Sequence, residues 1–145
     1  MIEVFIDGAC EPVNPKGTAS YGLVIKKEGQ YILKGYHIVG SGEGMSNNVA
    51  EYSALLACLK WFQTQKDIKD EIVIKGDSQL VIKQMSGEWG SNGGLYQDVY
   101  KQCLELVNKL NLNIRFEWIP REQNIEADEL SKLALIKNGI SPKRR

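Results

Sequence analysis

Four carboxylates stand where their neighbours give them chemical meaning: Asp7, Glu51, Asp77 and Asp128. Asp7 follows the alternating apolar positions Ile2, Val4 and Ile6, and Asp77 follows Ile72-Val73-Ile74-Lys75-Gly76. Each therefore reads as the residue at the carboxyl end of a strand. If those strands are parallel neighbours, their ends lie about 5 Å apart, in the crevice where open α/β sheets gather ligands. Two acids that close repel and raise each other's pKa unless a cation neutralises them. An all-oxygen ligand set suits Mg²⁺ or Mn²⁺ rather than zinc. Glu51 stands one position before the apolar stripe of a long helical segment, at the edge of its packed face. Asp128 falls in the first turn of a closing helix, where an acid is also an ordinary partner of the helix dipole. For Asp7 and Asp77 the competing reading is a strand-end turn residue.

Other chemistries find little support. The chain has one histidine, His37, which cannot build a His/Cys zinc site, and no Ser-His or Cys-His pair is evident. His37 reads as a structural strand residue. Cys10, Cys58 and Cys103 form no C-x-x-C pattern. An odd, unpaired set suggests reduced thiols and a cytoplasmic setting. They read as small buried hydrophobes, with Cys10 the least secure because it lies near Asp7. Formal net charge is zero, which argues against a strong non-specific clamp on nucleic acid without excluding that ligand. No apolar run approaches the ~20 residues of a membrane helix, so no membrane partner is expected. The opening MIEVFIDG does not read as a signal peptide.

The elements that must position the acids follow from periodicity. At 145 residues, with 43% hydrophobic and 25% charged residues, the chain suits one compact domain, taken as 1–140 and expected to act as a monomer. A strand ends at Asp7-Gly8, and the loop ACEPVNPKGT follows. Tyr21 to Lys27 and Tyr31 to Val39 form a hairpin. Ser46 or Asn47 caps a helix whose apolar face is Tyr52, Leu55, Leu56, Leu59 and Phe62. A short strand from Ile72 precedes Asp77, and a short helix runs from Gln79 to Met85. A glycine-rich loop spans 86–94. Leu95 to Leu110 is helical, with Val99, Cys103, Leu106, Val107 and Leu110 inward. Ile114, Phe116 and Trp118 alternate in a fifth strand, and a helix runs from Ile125 to Asn138. The order is β-β-β-α-β-α-α-β-α, an α/β fold with a five-stranded mixed sheet flanked by helices. Residues 141–145 form a basic, mobile tail.

The residues around the acids carry a resemblance. Asp7-Gly8-Ala9-Cys10 with Asn14-Pro15 and Gly17 resembles the opening motif of the type 1 ribonuclease H family. Ser46-Asn47-Asn48-Val49-Ala50-Glu51, Gly76-Asp77-Ser78-Gln79-Leu80-Val81 and Asn124-Ile125-Glu126-Ala127-Asp128 resemble its second, third and fourth motifs, in the family's order. The resemblance runs from residue 1 to about 138. It implies the ribonuclease H-like fold and endonucleolytic hydrolysis of the RNA strand of an RNA–DNA hybrid, leaving 5′-phosphate and 3′-hydroxyl ends. Two Mg²⁺ or Mn²⁺ ions, about 4 Å apart in such sites, would be held by the quartet. By the resemblance Asp7 bridges both, Glu51 and Asp77 hold one, and Asp128 holds the other. Asn14, Asn47, Asn48 and Gln79 match positions that read the 2′-hydroxyl or hold nearby phosphates, and Ser46 matches a position that contacts a DNA phosphate.

Two departures stand out. Many bacterial members carry a histidine in the loop before the last helix; here that stretch is Trp118-Ile119-Pro120-Arg121-Glu122-Gln123-Asn124. Arg121 is the best substitute, able to steady charge but not to act as a base near neutral pH. A surface arginine paired with Glu122 or Glu126 is the competing reading. The basic helix that some members insert after the third motif is absent, and only residues 86–94, without lysine or arginine, intervene. Weaker, salt-sensitive substrate binding follows. Trp89 is expected to pack more than to stack on a sugar or base. The alternatives are a nuclease of this fold acting on double-stranded RNA or branched DNA, and a non-catalytic nucleic-acid-binding adaptor.

Overall fold

Five apolar strands make one sheet. The computed structural model describes residues 1–142; residues 143–145 of the expected basic tail lie outside it. Strands β1 (Ile2–Glu11), β2 (Thr18–Lys27), β3 (Gln30–Ser41), β4 (Ile72–Gly76) and β5 (Ile114–Trp118) lie in the order β3-β2-β1-β4-β5. The hairpin strands pair antiparallel with β1 and each other, and β1, β4 and β5 run parallel. Helices α1 (Asn47–Thr64), α2 (Gln79–Met85), α3 (Gln97–Leu110) and α4 (Ile125–Lys137) complete the expected order.

The site depends on where two ladders stop. The parallel pairing of β1 with β4 ends at Ile6↔Gly76, so Asp7 and Asp77 are the next residue on each strand. The expectation that β1 itself ends at Asp7-Gly8 is corrected. It runs on to Glu11, because its antiparallel pairing with β2 continues to Glu11↔Thr18. Ala9 and Cys10, small and buried, keep that extension within the sheet. Asp7 thus pairs with β2 on one side and lies one residue past the end of the β4 ladder on the other. By the same pairing β2 begins at Thr18 rather than Tyr21, and α3 begins at Gln97 rather than Leu95.

The helices take opposite faces. Ser46 caps α1 by accepting the Val49 N–H at 3.1 Å. Tyr52, Leu55, Cys58, Leu59 and Phe62 of α1 bury against Ile2, Val4, Ile6, Leu23, Ile25, Ile72 and Ile74 of the sheet. Cys103 of α3 closes the outer side of that core. Because strand side chains alternate, Gly22 and Val24 point the other way, toward α4. There the helix lies almost on the β2 backbone, and Ser20 donates its hydroxyl to the Ser131 carbonyl at 2.8 Å. A Cβ at Gly22 would stand 2.1 Å from the Ala127 carbonyl oxygen. Gly22 is the register partner of Asp7, so the closest approach of α4 falls directly opposite that acid.

Gly22→Ala must push α4 off the sheet. Overpacking of this kind costs about 1–3 kcal/mol. Gly35→Ala serves as control, since its Cβ would meet nothing nearer than Leu33 Cδ2 at 3.8 Å. Urea denaturation should show the loss for Gly22→Ala alone; equal midpoints for the two variants would contradict the close packing.

Candidate metal centre

Asp7, Glu51 and Asp77 meet at the end of the parallel ladder. Each offers a carboxylate oxygen, and these oxygens all lie within 4.8 Å of one another. Asp7 is 1% exposed and Glu51 6%, while Asp77 is partly exposed. They form the floor of a cleft of about 350 Å³ whose walls include Cys10, Glu11, Asn14, Asn47, Ser78 and Arg121.

Each acid is delivered by a distinct packing event. Glu51 reaches Asp7 because α1 sits directly over Gly8, where a Cβ would stand 2.5 Å from the Glu51 amide nitrogen. Only glycine admits the helix that close. The Gly8 N–H donates to Asp7 Oδ1 at 2.9 Å. Asp77 follows β4 directly, and Ser78 then caps α2 by accepting the Val81 N–H at 3.3 Å. The loop after β1 is tied to the start of α1: Asn14 Nδ2 donates to Asn47 Oδ1 at 2.9 Å, and the Asn47 N–H donates to Asn14 Oδ1 at 3.1 Å. That reciprocal pair makes one wall of the cleft.

The acids are in electrostatic conflict. Burial pushes the Glu51 carboxyl well above the ordinary carboxylate range, and the neighbouring Asp7 and Asp77 push it further. Glu51 Oε2 is buried without a hydrogen-bond partner among the described residues. Three crowded hard oxygen ligands, the Glu51 oxygen among them without a protein donor, fit a divalent cation of the Mg²⁺ class. Cys10 lines the cleft but is occupied elsewhere: its thiol donates to the Val13 carbonyl at 3.3 Å, and burial raises its pKa. All three cysteines are free thiols and buried.

The other expected site residues divide. Asn14, Asn47 and Arg121 line the cleft; Ser46, Asn48, Gln79 and Asp128 are not among its lining residues. Ser46 uses its hydroxyl as the α1 cap, and Gln79 is exposed at the start of α2. Asp128 is buried in the first turn of α4, with Oδ2 2.9 Å from Lys132 Nζ. It stands outside the three-acid cluster. Arg121, exposed on a single 3-10 turn (Arg121–Gln123), makes no ion pair among the described residues. The competing reading pairs it with Glu122 or Glu126; neither forms an ion pair with it among the described residues, and Glu126 is held by Tyr31, Lys26 and Lys34. Trp89 is 46% exposed, so it is no core residue. His37 lies exposed on β3 with its ring 5.9 Å from that of Tyr21.

Two features escaped the sequence reading. Asn124 donates to Asp77 Oδ1, and Trp118 Nε1 donates to the Asp77 carbonyl at 3.1 Å. The close-approach glycines Gly8 and Gly22 are the other. A glycine inside an apolar strand is a signal of such an approach, and both stood in plain view.

The sequence profile of a family described as "Reverse transcriptase-like" matches residues 5–134. Ribonuclease HI of Halobacterium salinarum is 31% identical over 139 residues, covering 92% of this chain and 64% of that protein. The chain belongs to the ribonuclease H family. It is also 33% identical over 124 residues to the bifunctional protein Rv2228c of Mycobacterium tuberculosis, covering 84% of this chain and 32% of that one. The chain thus spans under two thirds of the length of these curated relatives. Among solved structures, LC11 ribonuclease H1 in complex with RNA/DNA hybrid superposes with a TM-score of 0.86 at 30% identity, covering 95% of this chain and 99% of that one. Ribonuclease H1 of H. salinarum gives 0.80 at 31% identity, covering 94% and 98%. Within the ribonuclease H fold, the cluster of three acids sits at the carboxyl ends of the parallel strands, the side where open α/β sheets gather ligands. No helix among the described residues is long and apolar enough to cross a membrane.

Without metal, the crowded acids should weaken the ribonuclease H fold. A carboxyl whose pKa is raised on folding releases its proton first in the unfolded chain, so stability falls as pH rises past the ordinary carboxylate range. In chelator, Glu51→Gln is therefore expected to melt above wild type, by a margin that widens as pH rises above the ordinary carboxylate range. Millimolar Mg²⁺ or Mn²⁺ should raise the wild-type melting temperature more than that of the variant. Thermal denaturation across pH checks both; a variant less stable than wild type at every pH in chelator would contradict the repulsion.

Proposed function

We propose that the chain is a metal-dependent endoribonuclease that hydrolyses the RNA strand of RNA–DNA hybrids and leaves 5′-phosphate and 3′-hydroxyl ends. The cluster of Asp7, Glu51 and Asp77 within 4.8 Å, at the floor of an open polar cleft, is the observation that carries this reading. Family membership and the likeness to a chain solved with RNA/DNA hybrid support it.

Asp7, Glu51 and Asp77 would hold the metal. Asp128 would be the fourth ligand, leaving Lys132 to do so. Two Mg²⁺ or Mn²⁺ ions, when bound, supply an activated water and a clamp on the leaving oxygen. The residues of the chain supply the rest. Asn14 and Asn47, locked to each other on the cleft wall, present carboxamides suited to a ribose 2′-hydroxyl, the group that separates RNA from DNA. Asn48 and Gln79 would extend that contact along the backbone, and Ser46 would meet a phosphate of the DNA strand. Arg121, exposed at the cleft and without an ion-pair partner among the described residues, steadies phosphate charge rather than moving a proton. We assign the activity to one domain, residues 1–140, acting as a monomer in the cytoplasm.

A cleavage assay tests this reading. End-labelled RNA in a hybrid should be cut in Mg²⁺ or Mn²⁺ and left intact in chelator. Asp77→Asn should reduce cleavage at least about 100-fold, the scale on which a single charge-stabilising group is felt, and remain folded because Asn124 can still donate to its Oδ1. Intact hybrid across both metals would refute the proposal. Preferred cutting of duplex RNA or branched DNA, or binding without turnover, would replace it by one of the alternative readings.

A further inference from the structure

Asn124 stands where a helix cap is expected. It is the residue before α4, and an asparagine there ordinarily accepts a hydrogen bond from the helix's first N–H groups. Its side chain makes no such bond. Nδ2 instead reaches into the sheet, donating to the Ile6 carbonyl at 2.8 Å and to Asp77 Oδ1 at 3.3 Å. The residue is 1% exposed, and its Oδ1 is buried without a hydrogen-bond partner among the described residues. The two acceptors fix which way the carboxamide points. Turned over, its oxygen would face a carbonyl and a carboxylate, neither of which can donate.

The two groups it joins belong to the two strands whose ladder stops at the site. The Ile6 carbonyl is part of the peptide bond that carries Asp7. Asp77 is the first residue after β4. One buried amide therefore spans the gap between the acids from behind. Asp77 is held a second time, through its own carbonyl, by the Trp118 indole N–H at 3.1 Å. Trp118 closes β5, where it pairs with Gly76. Carboxylate and backbone of one acid are thus gripped by two elements that contribute no oxygen to the cluster.

We propose that Asn124, with Trp118, is a positioning residue of the metal centre, setting the spacing of Asp7 and Asp77 and the rotation of the Asp77 carboxylate before a divalent ion arrives. This rests on the reading of the three acids as a metal centre. Like charges left to themselves turn apart, and an ion then has to pull them together. Groups that hydrogen-bond a metal ligand from behind remove that reorganisation, and their loss typically weakens metal binding by about 10–100-fold. Asn124 also immediately precedes α4, so the same side chain ties the helix of Asp128 to the strand ends of Asp7 and Asp77.

Calorimetric titration of MnCl₂ into substrate-free protein tests the proposal without relying on activity. The titrations are run at a temperature where circular dichroism shows every variant folded. Asn124→Ala is expected to raise the Mn²⁺ Kd by about 10–100-fold, and Trp118→Phe, which keeps an aromatic ring and loses the N–H, by a smaller factor. Leu135→Val trims a buried side chain of the same helix; it should lower stability and leave the Kd alone. A wild type that binds no Mn²⁺ removes the metal-centre reading itself. A wild type that binds, with a folded Asn124→Ala of unchanged Kd, overturns the positioning role alone. So does a Leu135→Val that weakens binding as much as Asn124→Ala, since the effect would then be a general loosening of α4. If Asn124→Ala does not fold, Trp118→Phe decides: a raised Kd supports the proposal and an unchanged one overturns it.

Discussion

Like-charge repulsion between Asp7, Glu51 and Asp77 is the constraint on which the rest of the molecule turns. Their oxygens lie within 4.8 Å of one another, and two of the three side chains are almost sealed from water. Burial disfavours the charge on Glu51, and Asp7 and Asp77 beside it disfavour that charge again. A fold that keeps such a cluster must over-determine it through packing that the acids themselves do not supply. The surrounding architecture is legible in those terms. The apolar core of α1 and the sheet sets the position of Glu51, the parallel ladder sets Asp7 and Asp77 side by side, and buried amide groups hold them from behind.

Two glycines make the convergence possible. Gly8 lets α1 settle onto β1, and Gly22 lets α4 settle onto β2, so that helices on opposite faces of the sheet both approach the strand of Asp7. Alanine at either position would collide with backbone rather than with a yielding side chain. The cleft above the acids is made by loops that are themselves tied down. The Lys16 amide donates to the Met45 carbonyl at 2.8 Å, and the Gly42 amide to the Gly17 carbonyl at 3.1 Å. Asn14 is thereby carried to Asn47 on a supported loop. The wall of the cleft is thus tied down by backbone and side-chain hydrogen bonds, as the floor is by packing.

Much of this was legible in the amino-acid sequence. Alternating and short continuous apolar runs located all five strands, and the i, i+3, i+4 pattern located α1, because burial enforces those patterns. The placement of Asp7 and Asp77 after apolar runs anticipated their meeting. The end of β1 was not legible: Gly8, Pro12 and Pro15 read locally as a loop, and only the distant pairing with β2 carries the strand on to Glu11. Nor was the present position of Asp128, whose contact with Lys132 one turn along α4 is a local i,i+4 pair that competes with the cluster. Asn124 reads in the sequence only as the first residue of the fourth motif. Its contacts lie 118 and 47 residues away in the chain, and no spacing rule reaches that far.

A scaffold that presets three acids for a hard cation makes one claim above all, that an ion belongs between them. Anomalous scattering from crystals soaked in MnCl₂ measures it directly. The account predicts a manganese peak bridged by Asp7, Glu51 and Asp77, absent from crystals of Asp77→Asn under the same soak. A cluster that stays empty at saturating Mn²⁺, or a peak that persists unchanged in Asp77→Asn, would contradict it.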